Sequence, residues 1–233
     1  MTFKIKSAKN IKFMFWIILN CALSYLLGSI PFSYLIARAY GKNLYQVGSG
    51  NIGAANVWRA TKKAKAFWLA VIGDGGKGIV AILLAKYFSQ FDLRYDSWIF
   101  LASSSFFVVM GHNWPIFLKF KGGRGLASLL GILIYLNLKL VFSSLLLTGA
   151  SIFLTQILTQ KKIELKGNFK EKVKELFSIF TSQVLGRDIG LALSAIAILF
   201  LDPETFKILI FAAILSAIKH IKRTKSFLEG NEV

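Results

Sequence analysis

Apolar segments separated by short polar loops follow one another along almost the whole chain. The first covers residues 13–40 and exceeds the roughly 20 residues that cross a bilayer core, and Pro31 lies where it would bend or break a helix. The later apolar segments are residues 66–88, 98–118, 126–158, 189–201 and 205–218. This pattern predicts an all-α, multi-pass integral membrane helical bundle that forms one domain over residues 1–233.

The apolar segment 126–158 is too long for one ordinary span and slightly short for two. Asn137 and Lys139 lie in its middle, where a tight turn would divide it. The division gives about seven transmembrane helices. An interruption of the segment 66–88 is expected near its start, at the sequence DGGKG of residues 74–78.

The charged stretch 160–187 differs from the spans on either side. Its apolar residues recur at helical spacing, which predicts an amphipathic helix on the membrane surface with its lysines toward lipid headgroups. These residues are Phe169, Val173, Leu176, Phe177, Phe180 and Val184. The following span, 189–201, is short for a bilayer unless it begins inside this surface helix.

Composition adds a strong positive charge to this membrane pattern. Hydrophobic residues make up 55% of the chain, and 29 Lys and Arg against 11 Asp and Glu give a formal net charge of +18. Such a balance suits anionic lipid headgroups, phosphorylated substrates or nucleic acid. The apolar spans make nucleic acid the least compatible of the three, so membrane lipids and phosphorylated small molecules are the expected partners.

The basic residues also predict an orientation. They are concentrated in the loops 41–65 and 119–125, in the stretch 160–187 and in the C-terminal tail, which the positive-inside rule places on the cytoplasmic side. The acidic connections then lie outside: Asp92, Asp96, Asp202 and Glu204. Seven spans put the N-terminus outside, whereas its own lysines favour the inside. Because the internal loops agree with one another, we predict that the N-terminus lies outside.

The sequence lacks the residues that a disulfide, a metal site, a nucleotide-binding loop or a hydrolase triad would require. Cys21 is the single cysteine and lies in an apolar segment, so no intrachain disulfide is available. The two histidines, His112 and His220, are too few for a histidine-based metal site and have no carboxylate nearby at ligand spacing. The chain has no Walker spacing, no Gly-x-Ser-x-Gly elbow and no His followed four residues later by Asp. No cofactor is expected.

Two glycine-rich loops could bind anions. The first contains GSGN at residues 48–51 and Arg59, which offers a bidentate fork to phosphate oxygens. The second, residues 111–128, contains KGGRG before an apolar run whose helix dipole would favour an anion. Alone, the second loop is equally compatible with an ordinary cytoplasmic loop, and the GSGN sequence alone favours an ordinary turn. Because both fall on the same predicted membrane face, the phosphate interpretation is preferred.

Asp74 and Lys77 form a third polar group, placed next to an apolar span. Charges there are costly unless they are paired or wet, so the two residues are expected to pair with each other or to face the site. For Lys77 the favoured alternative is a helix start at the interface, with its ammonium group snorkelling to water.

Three segments of the chain resemble the motifs of the bacterial acyl-phosphate:glycerol-3-phosphate acyltransferase family, the PlsY family. They are GSGNIGAANVWR at 48–59, GHNWPIFLKFKGGRGLAS at 111–128 and KHIKRTKSFLEGNE at 219–232, and GSIPFSYLIAR at 28–38 is also similar. The resemblance implies a seven-helix membrane acyltransferase of the bacterial inner membrane whose site faces the cytoplasm. It also implies transfer of a fatty acyl group from acyl-phosphate to glycerol 3-phosphate, which gives 1-acyl-glycerol 3-phosphate.

The resemblance also implies which residues form the site. The residues expected to carry catalysis are Ser49, Arg59, Arg124 and His220. Those expected to bind substrate are Gly48, Gly50, Asn51, Asn56, His112, Lys121, Gly122, Gly123, Gly125 and Ser128. Glu232 also matches the third motif. The chain departs from the family at several positions. Arg124 replaces the usual lysine, and Ala55 replaces the usual threonine. Arg223 replaces the asparagine expected three residues after the histidine, and residues 224–227 are divergent.

The proposed chemistry suits a site without a catalytic triad. Acyl-phosphate is a mixed anhydride with a good leaving group, so transfer to a hydroxyl needs positioning and charge stabilisation more than a protein nucleophile. One glycine loop would bind one phosphate and the other loop the second, and the phosphates would accept the proton. The alternatives are a transporter for a phosphorylated solute and a catalytically silent relative that binds lipid phosphate.

Overall fold

The computed structural model describes residues 2–91, 96–158, 168–169, 171–173, 176, 179 and 184–229, with side chains from residue 11 onward except at 222–223 and 226–228. Within these ranges the chain is helical and has no β-strand. The helices are α1 Thr2–Ser29, α2 Phe32–Ala39, α3 Ala54–Thr61, α4 Ala64–Ser89, α5 Ser97–Asn113, α6 Leu126–Leu136, α7 Leu138–Leu158, α8 Leu185–Leu201 and α9 Pro203–Leu228. The predicted all-α fold is confirmed.

The long helices have the surface of a membrane protein. Three described segments, Ile11–Ala39, Ala64–Ser89 and Leu138–Leu158, are long and apolar enough to cross a bilayer by length and composition. Large apolar side chains such as Phe142 and Phe211 are exposed on the outside of the bundle, where lipid replaces water. The multi-pass membrane bundle is therefore confirmed, whereas the count of seven spans remains a prediction because α6 has only 11 residues.

Two predicted helix boundaries agree with the structure. The helix α1 ends at Ser29 and α2 begins at Phe32, so the chain breaks around Pro31, whose ring and missing N–H interrupt a helix. The long segment 126–158 divides at Asn137, between α6 and α7. The Asn137 side chain accepts a hydrogen bond from the Lys139 amide at 3.1 Å, which helps to fix this turn.

The predicted interruption at residues 74–78 is wrong, because α4 is continuous through the DGGKG sequence. Lys77 is ion-paired with Asp74, one helical turn away, at 3.1 Å. The ammonium group also donates to the carbonyl oxygens of Gly28 at 2.8 Å and Ile30 at 3.0 Å. The predicted pairing is confirmed, and the snorkelling alternative is wrong because Lys77 is only 2% exposed. Lys77 therefore satisfies carbonyl groups freed by the break around Pro31.

Glycines let α4 and α6 touch through their backbones. A Cβ atom added to Gly131 of α6 would lie 1.9 Å from the carbonyl oxygen of Gly75, and one added to Gly78 would lie 2.2 Å from that of Ser128. Small residues at such crossings allow helices in a membrane to pack closely. The glycines of the DGGKG sequence thus serve helix packing.

Gly131→Ala is expected to lower the thermal stability of the protein in detergent. The added methyl group must displace the backbone of α4, and overpacking of this kind costs about 1–3 kcal/mol. Gly149→Ala in α7 is the matched control, because nothing lies within 4 Å of its added Cβ. The control should gain roughly 0.5–1 kcal/mol from helix propensity. Similar shifts in Tm for the two variants would contradict the close crossing of α4 and α6.

The polar connections separate to opposite ends of the bundle. At one end, Asn137 donates to Asp202 at 2.9 Å and the Lys207 ammonium lies 5.1 Å from the Trp98 ring centre. Trp16 of α1 stacks on Phe91 at this same end. The basic loops 41–65 and 119–125 lie at the other end, in agreement with the grouping predicted from charge. Asp92 is outside the described residues.

The predicted surface helix 160–187 falls mostly outside the described residues. Its final residues belong to α8, which begins at Leu185 instead of the predicted 189. Gly186 and Gly190 pack α8 against α7, because added Cβ atoms would lie 2.6 Å from Ile152 Cα and 2.4 Å from Thr148 Cα. Arg187 and Asp188 are thereby held in the first turn of a helix that packs against α7.

Candidate active site

The first glycine loop is organised around the side chain of Asn56. Its Nδ2 atom lies within hydrogen-bond distance of the carbonyl oxygens of Leu44, Val47 and Asn51, at 2.9–3.0 Å. Its Oδ1 atom accepts from the Ser49 amide at 3.3 Å. Asn56 was predicted to bind substrate, but it is 1% exposed and its amide group is used by the loop itself.

Positive backbone angles let this loop turn sharply. Gly48 and Gly50 have φ values of 57° and 63°, which a residue with a Cβ rarely adopts. The turn brings the Ser49 hydroxyl to the guanidinium of Arg59, whose Nη1 donates to it at 3.4 Å. Burial lowers the pKa of Arg59. The predicted pair Ser49 and Arg59 is thus adjacent, with the arginine supplied by the short helix α3.

The second glycine loop folds back over His112. The Gly123 amide donates to the His112 carbonyl oxygen at 3.0 Å. A Cβ atom at Gly123 would lie 2.0 Å from His112 Nε2 and 2.3 Å from the carbonyl oxygen of Ile52, and one at Gly122 would lie 2.2 Å from the His112 carbonyl. Gly125 has a φ of 82° at the start of α6. Only glycines fit this close contact.

The two glycine loops contact each other, as the shared-site interpretation requires. Besides the approach of Gly123 to Ile52, the Tyr45 hydroxyl donates to the Lys121 carbonyl oxygen at 2.7 Å. The Lys121 side chain is exposed. The loops therefore form one continuous surface at the basic end of the bundle.

Beneath this surface lies a polar network centred on Asp74. His112 Nδ1 is 3.6 Å from Asp74 Oδ1, and Ser33 donates to Asp74 Oδ2 at 2.5 Å. The Ser128 hydroxyl donates to the Asp74 carbonyl oxygen at 3.0 Å. His112 and Ser128 were predicted to bind substrate, but they are 6% and 0% exposed and make these internal contacts instead. Their direct role toward substrate remains a prediction.

The third segment reaches the site through α9. Ser216 donates to the Arg124 carbonyl oxygen at 2.6 Å, and Asn113 donates to the Leu215 carbonyl oxygen at 3.1 Å. His220 lies one turn further along α9 and so shares the face that meets the second loop. Arg223, whose side chain is not described, and Glu232, which is outside the described residues, cannot be placed in the site.

His220 is paired with a carboxylate, contrary to the expectation from sequence spacing. Its Nδ1 lies 2.9 Å from Asp188 Oδ1, and Thr224 donates to Asp188 Oδ2 at 2.5 Å. His220 Nε2 is buried and has no hydrogen-bond partner among the described residues. The histidines lack a nearby carboxylate only along the sequence. Asp74 and Asp188 reach the histidines from other helices.

Positive charge accumulates where the three segments meet. Burial, followed by the nearby Arg187 guanidinium, lowers the pKa of Arg124 to about 9. Arg59 lowers it further, whereas Asp188 raises it. Three guanidinium groups therefore act on one another in a partly desolvated space, and a bound anion would relieve their repulsion. Arg187 and Asp188 were not predicted as site residues, although two charges in the first turn of an apolar helix are a recognisable signal.

The structure thus brings together all four residues that were predicted to carry catalysis: Ser49, Arg59, Arg124 and His220. Among the glycines, Gly48, Gly50, Gly122, Gly123 and Gly125 shape the two loops. Within the described ranges, no group of three or more His, Cys, Asp or Glu side chains could hold a metal ion. The arrangement can bind and stabilise anions, and it presents an imidazole nitrogen to the same region.

The sequence matches known proteins over nearly its full length. A family model described as glycerol-3-phosphate acyltransferase matches residues 18–230. The glycerol-3-phosphate acyltransferase of Wolbachia pipientis subsp. Culex pipiens (strain wPip) is 38% identical over 210 residues, covering 90% of this chain and 94% of that protein. The protein of the same name from Caulobacter vibrioides (strain NA1000 / CB15N) is 47% identical over 111 residues, covering 47% of this chain and 48% of its own length.

Solved structures agree with these sequence matches. The crystal structure of PlsY (YgiH), an integral membrane glycerol 3-phosphate acyltransferase, in its glycerol 3-phosphate form has a TM-score of 0.69 and 28% identity, covering 93% of this chain and 94% of that chain. Its lysophosphatidic acid form has a TM-score of 0.67 and 26% identity with the same coverage.

Proposed function

The chain belongs to the glycerol-3-phosphate acyltransferase family, and from this membership we propose that it transfers a fatty acyl group from acyl-phosphate to glycerol 3-phosphate. The product is 1-acyl-glycerol 3-phosphate, the first intermediate of phospholipid synthesis. The observation that carries the proposal is the gathering of Arg59, Arg124 and Arg187 beside two glycine loops. Both substrates present phosphate groups, and a crowded set of guanidiniums is suited to bind them.

The reaction needs little covalent chemistry from the protein. A primary hydroxyl oxygen of glycerol 3-phosphate attacks the acyl carbon, and the bond from that carbon to the phosphate oxygen breaks. The electron pair leaves with the phosphate. Holding the two substrates together converts an encounter in solution into a reaction within one site, and nearby cations stabilise the charge on the leaving phosphate.

We assign the two phosphates to the two glycine loops. Ser49 and Arg59 of the first loop bind one phosphate, and Lys121 and Arg124 of the second loop bind the other. The contact between the loops supports this assignment, because phosphates bound by adjacent loops would be close enough for transfer between their substrates. The backbone amides that the glycines expose would add hydrogen bonds to the phosphate oxygens.

The leaving phosphate is the proposed proton acceptor, so no side chain is required as a base. His220→Ala and His112→Ala are each expected to retain measurable turnover in folded protein. His220 is the stricter test, because Asp188 holds its Nδ1 and leaves Nε2 unpartnered. Turnover is measured with purified variants whose folding is checked by thermal unfolding. Complete loss of activity in a folded His220→Ala protein would assign the proton transfer to His220.

A transporter is disfavoured by the state of the charged pair near the middle of α4. Transport would require ionisable groups that face a path through the membrane. Asp74 and Lys77 are 1% and 2% exposed and are bound to each other and to protein groups, so they offer a solute no free ligand. We place the site on the cytoplasmic face of the bacterial inner membrane, in accordance with the positive-inside rule.

The test of the proposed function is a direct assay. Purified protein is mixed with acyl-phosphate and radiolabelled glycerol 3-phosphate, and the labelled lipid product is quantified. The Arg59→Ala protein is the negative control and should form far less product. A parallel assay with acyl-coenzyme A in place of acyl-phosphate tests which compound donates the acyl group. Product from acyl-coenzyme A alone would overturn the proposed donor, and a folded wild-type protein that forms no product would overturn the proposed function.

A further inference from the structure

Arg187 has a largely buried guanidinium group, two of whose nitrogen atoms lack a hydrogen-bond partner among the described residues. Its side chain is 11% exposed, and its Nε and Nη2 atoms have no hydrogen-bond partner among the residues that the structure describes. The ionic contact to Asp188 Oδ1 is 3.8 Å long, which is beyond hydrogen-bond distance. An unsatisfied charged donor in a buried position is unfavourable unless a ligand completes it.

Asp188 lies beyond hydrogen-bond distance of Arg187 Nε, and each of its two oxygens has another partner. One lies 2.9 Å from His220 Nδ1, and the other accepts from the Thr224 hydroxyl. The carboxylate therefore fixes the imidazole and leaves the guanidinium beside it only partly neutralised. A surplus of positive charge at this end of α8 follows from these contacts.

The charges in this region suit phosphate groups. Arg59, Arg124 and Arg187 interact electrostatically, and Asp188 is the carboxylate among them. Their formal charges leave an excess of two positive units, which the phosphate groups of the two substrates would neutralise. An arginine offers planar paired donors that match phosphate oxygens better than a carbonyl or hydroxyl ligand.

The backbone holds Arg187 in a fixed place. Gly186, the residue before it, contacts the backbone of α7 so closely that an added Cβ would lie 2.9 Å from the Ser151 carbonyl oxygen. Val184, at the start of the same turn, is 2% exposed. A side chain on so constrained a turn loses little further entropy when it binds a ligand.

We propose that Arg187 is a third substrate-binding arginine, which binds the phosphate group of glycerol 3-phosphate or of acyl-phosphate together with Arg124. This inference rests on the proposed function, because it assigns Arg187 to the same site. The two substrates share the chemistry that Arg187 recognises. Kinetics with each substrate varied in turn distinguish them, since the KM of the substrate that Arg187 contacts should rise.

Arg187→Gln is expected to lower kcat/KM by about 10- to 100-fold, as loss of a charged hydrogen-bonding group to an anion does. Arg187→Lys keeps the charge but loses the fork, so it should recover part of the activity. Arg38→Gln is the matched control, because Arg38 is exposed at the same end of the bundle. The control removes an equal charge from the surface and should leave kcat/KM within about twofold of wild type.

The rise in Tm on ligand binding distinguishes a binding role of Arg187 from a purely structural one. Glycerol 3-phosphate and inorganic phosphate should each raise the Tm of the wild-type protein, and Arg187→Gln should lose most of that rise. Without ligand, Arg187→Gln should be at least as stable as wild type, because the substitution removes repulsion with Arg124. A merely structural arginine would give a lower Tm without ligand.

The outcomes separate this inference from the proposed function. If the wild-type protein makes no product but shows a phosphate-induced rise in Tm that Arg187→Gln loses, the proposed function fails and the role of Arg187 stands. If the wild type is active and Arg187→Gln has unchanged kinetics and an unchanged phosphate response, the role of Arg187 is overturned. A lower Tm of Arg187→Gln without ligand, combined with an unchanged phosphate response in the same variant, also overturns it.

Discussion

Arg124→Ala is expected to lower kcat/KM for acyl transfer by about 10²–10³-fold, the loss seen when one preorganised donor is removed from a site of developing charge. The guanidinium is buried beside Arg59 and Arg187, and the pKa of Arg124, lowered to about 9, reflects burial and the neighbouring positive charges. The loop should keep its shape, because Ser216 holds the Arg124 backbone carbonyl and not its side chain. Steady-state kinetics with both substrates varied measure the effect.

Arg124→Lys is the matched control for this prediction. Lysine is the residue that the family resemblance implies at this position, and it keeps the charge while losing the planar fork. Its kcat/KM should therefore fall by no more than about tenfold, since a charged donor remains. Unchanged kinetics in a folded Arg124→Ala protein would remove Arg124 from the site, and an equal loss in both variants would show that geometry matters more than charge.

The largest effect on stability is expected from Asp74→Ala. The substitution leaves the Lys77 ammonium in a buried site with only the carbonyl oxygens of Gly28 and Ile30 as partners. Breaking a buried ion pair on one side costs about 3–5 kcal/mol. The same change removes the acceptor of the Ser33 hydroxyl and the partner of His112. For a chain of this size the cost corresponds to a fall in Tm of roughly 6–20 °C.

Two further variants separate charge from shape at this position. Asp74→Asn keeps an acceptor for Ser33 and should be less destabilised than Asp74→Ala. The double variant Asp74→Ala with Lys77→Met removes both charges and should recover part of the lost stability. It should not recover all of it, because the methionine cannot donate to the carbonyls around the break at Pro31. Thermal unfolding in detergent, followed by tryptophan fluorescence, measures all three. A Tm of Asp74→Ala within a degree or two of wild type would contradict the role of the buried pair.

The sequence was informative wherever one segment decides its own structure. The apolar segments predicted the long helices because a bilayer requires about 20 apolar residues whose backbone hydrogen bonds are internal. Pro31 predicted the break between α1 and α2 because its ring blocks the helix locally. Asn137 predicted the division of the segment 126–158 for a similarly local reason, since its side chain caps the turn.

Predictions from the sequence were wrong or missing where a residue's role depends on a partner from another segment of the chain. The glycines of residues 74–78 suggested an interruption, whereas they let α6 lie against a continuous α4. Asn56 resembled a ligand-binding residue, although its amide group is used by its own loop. Arg187 was counted with the basic surface stretch, because the start of α8 is set by its packing on α7.

The sequence by itself determined the membrane helices, their main breaks and the pair of glycine loops, because hydrophobic length, proline and glycine act through local backbone geometry. Only the tertiary structure decided which charges meet. Asp74 meets His112, and Asp188 meets His220, through contacts between helices that are distant along the chain. The physical reason is that the energy of a buried charge depends on the groups that surround it in space, and neighbouring sequence supplies only some of them.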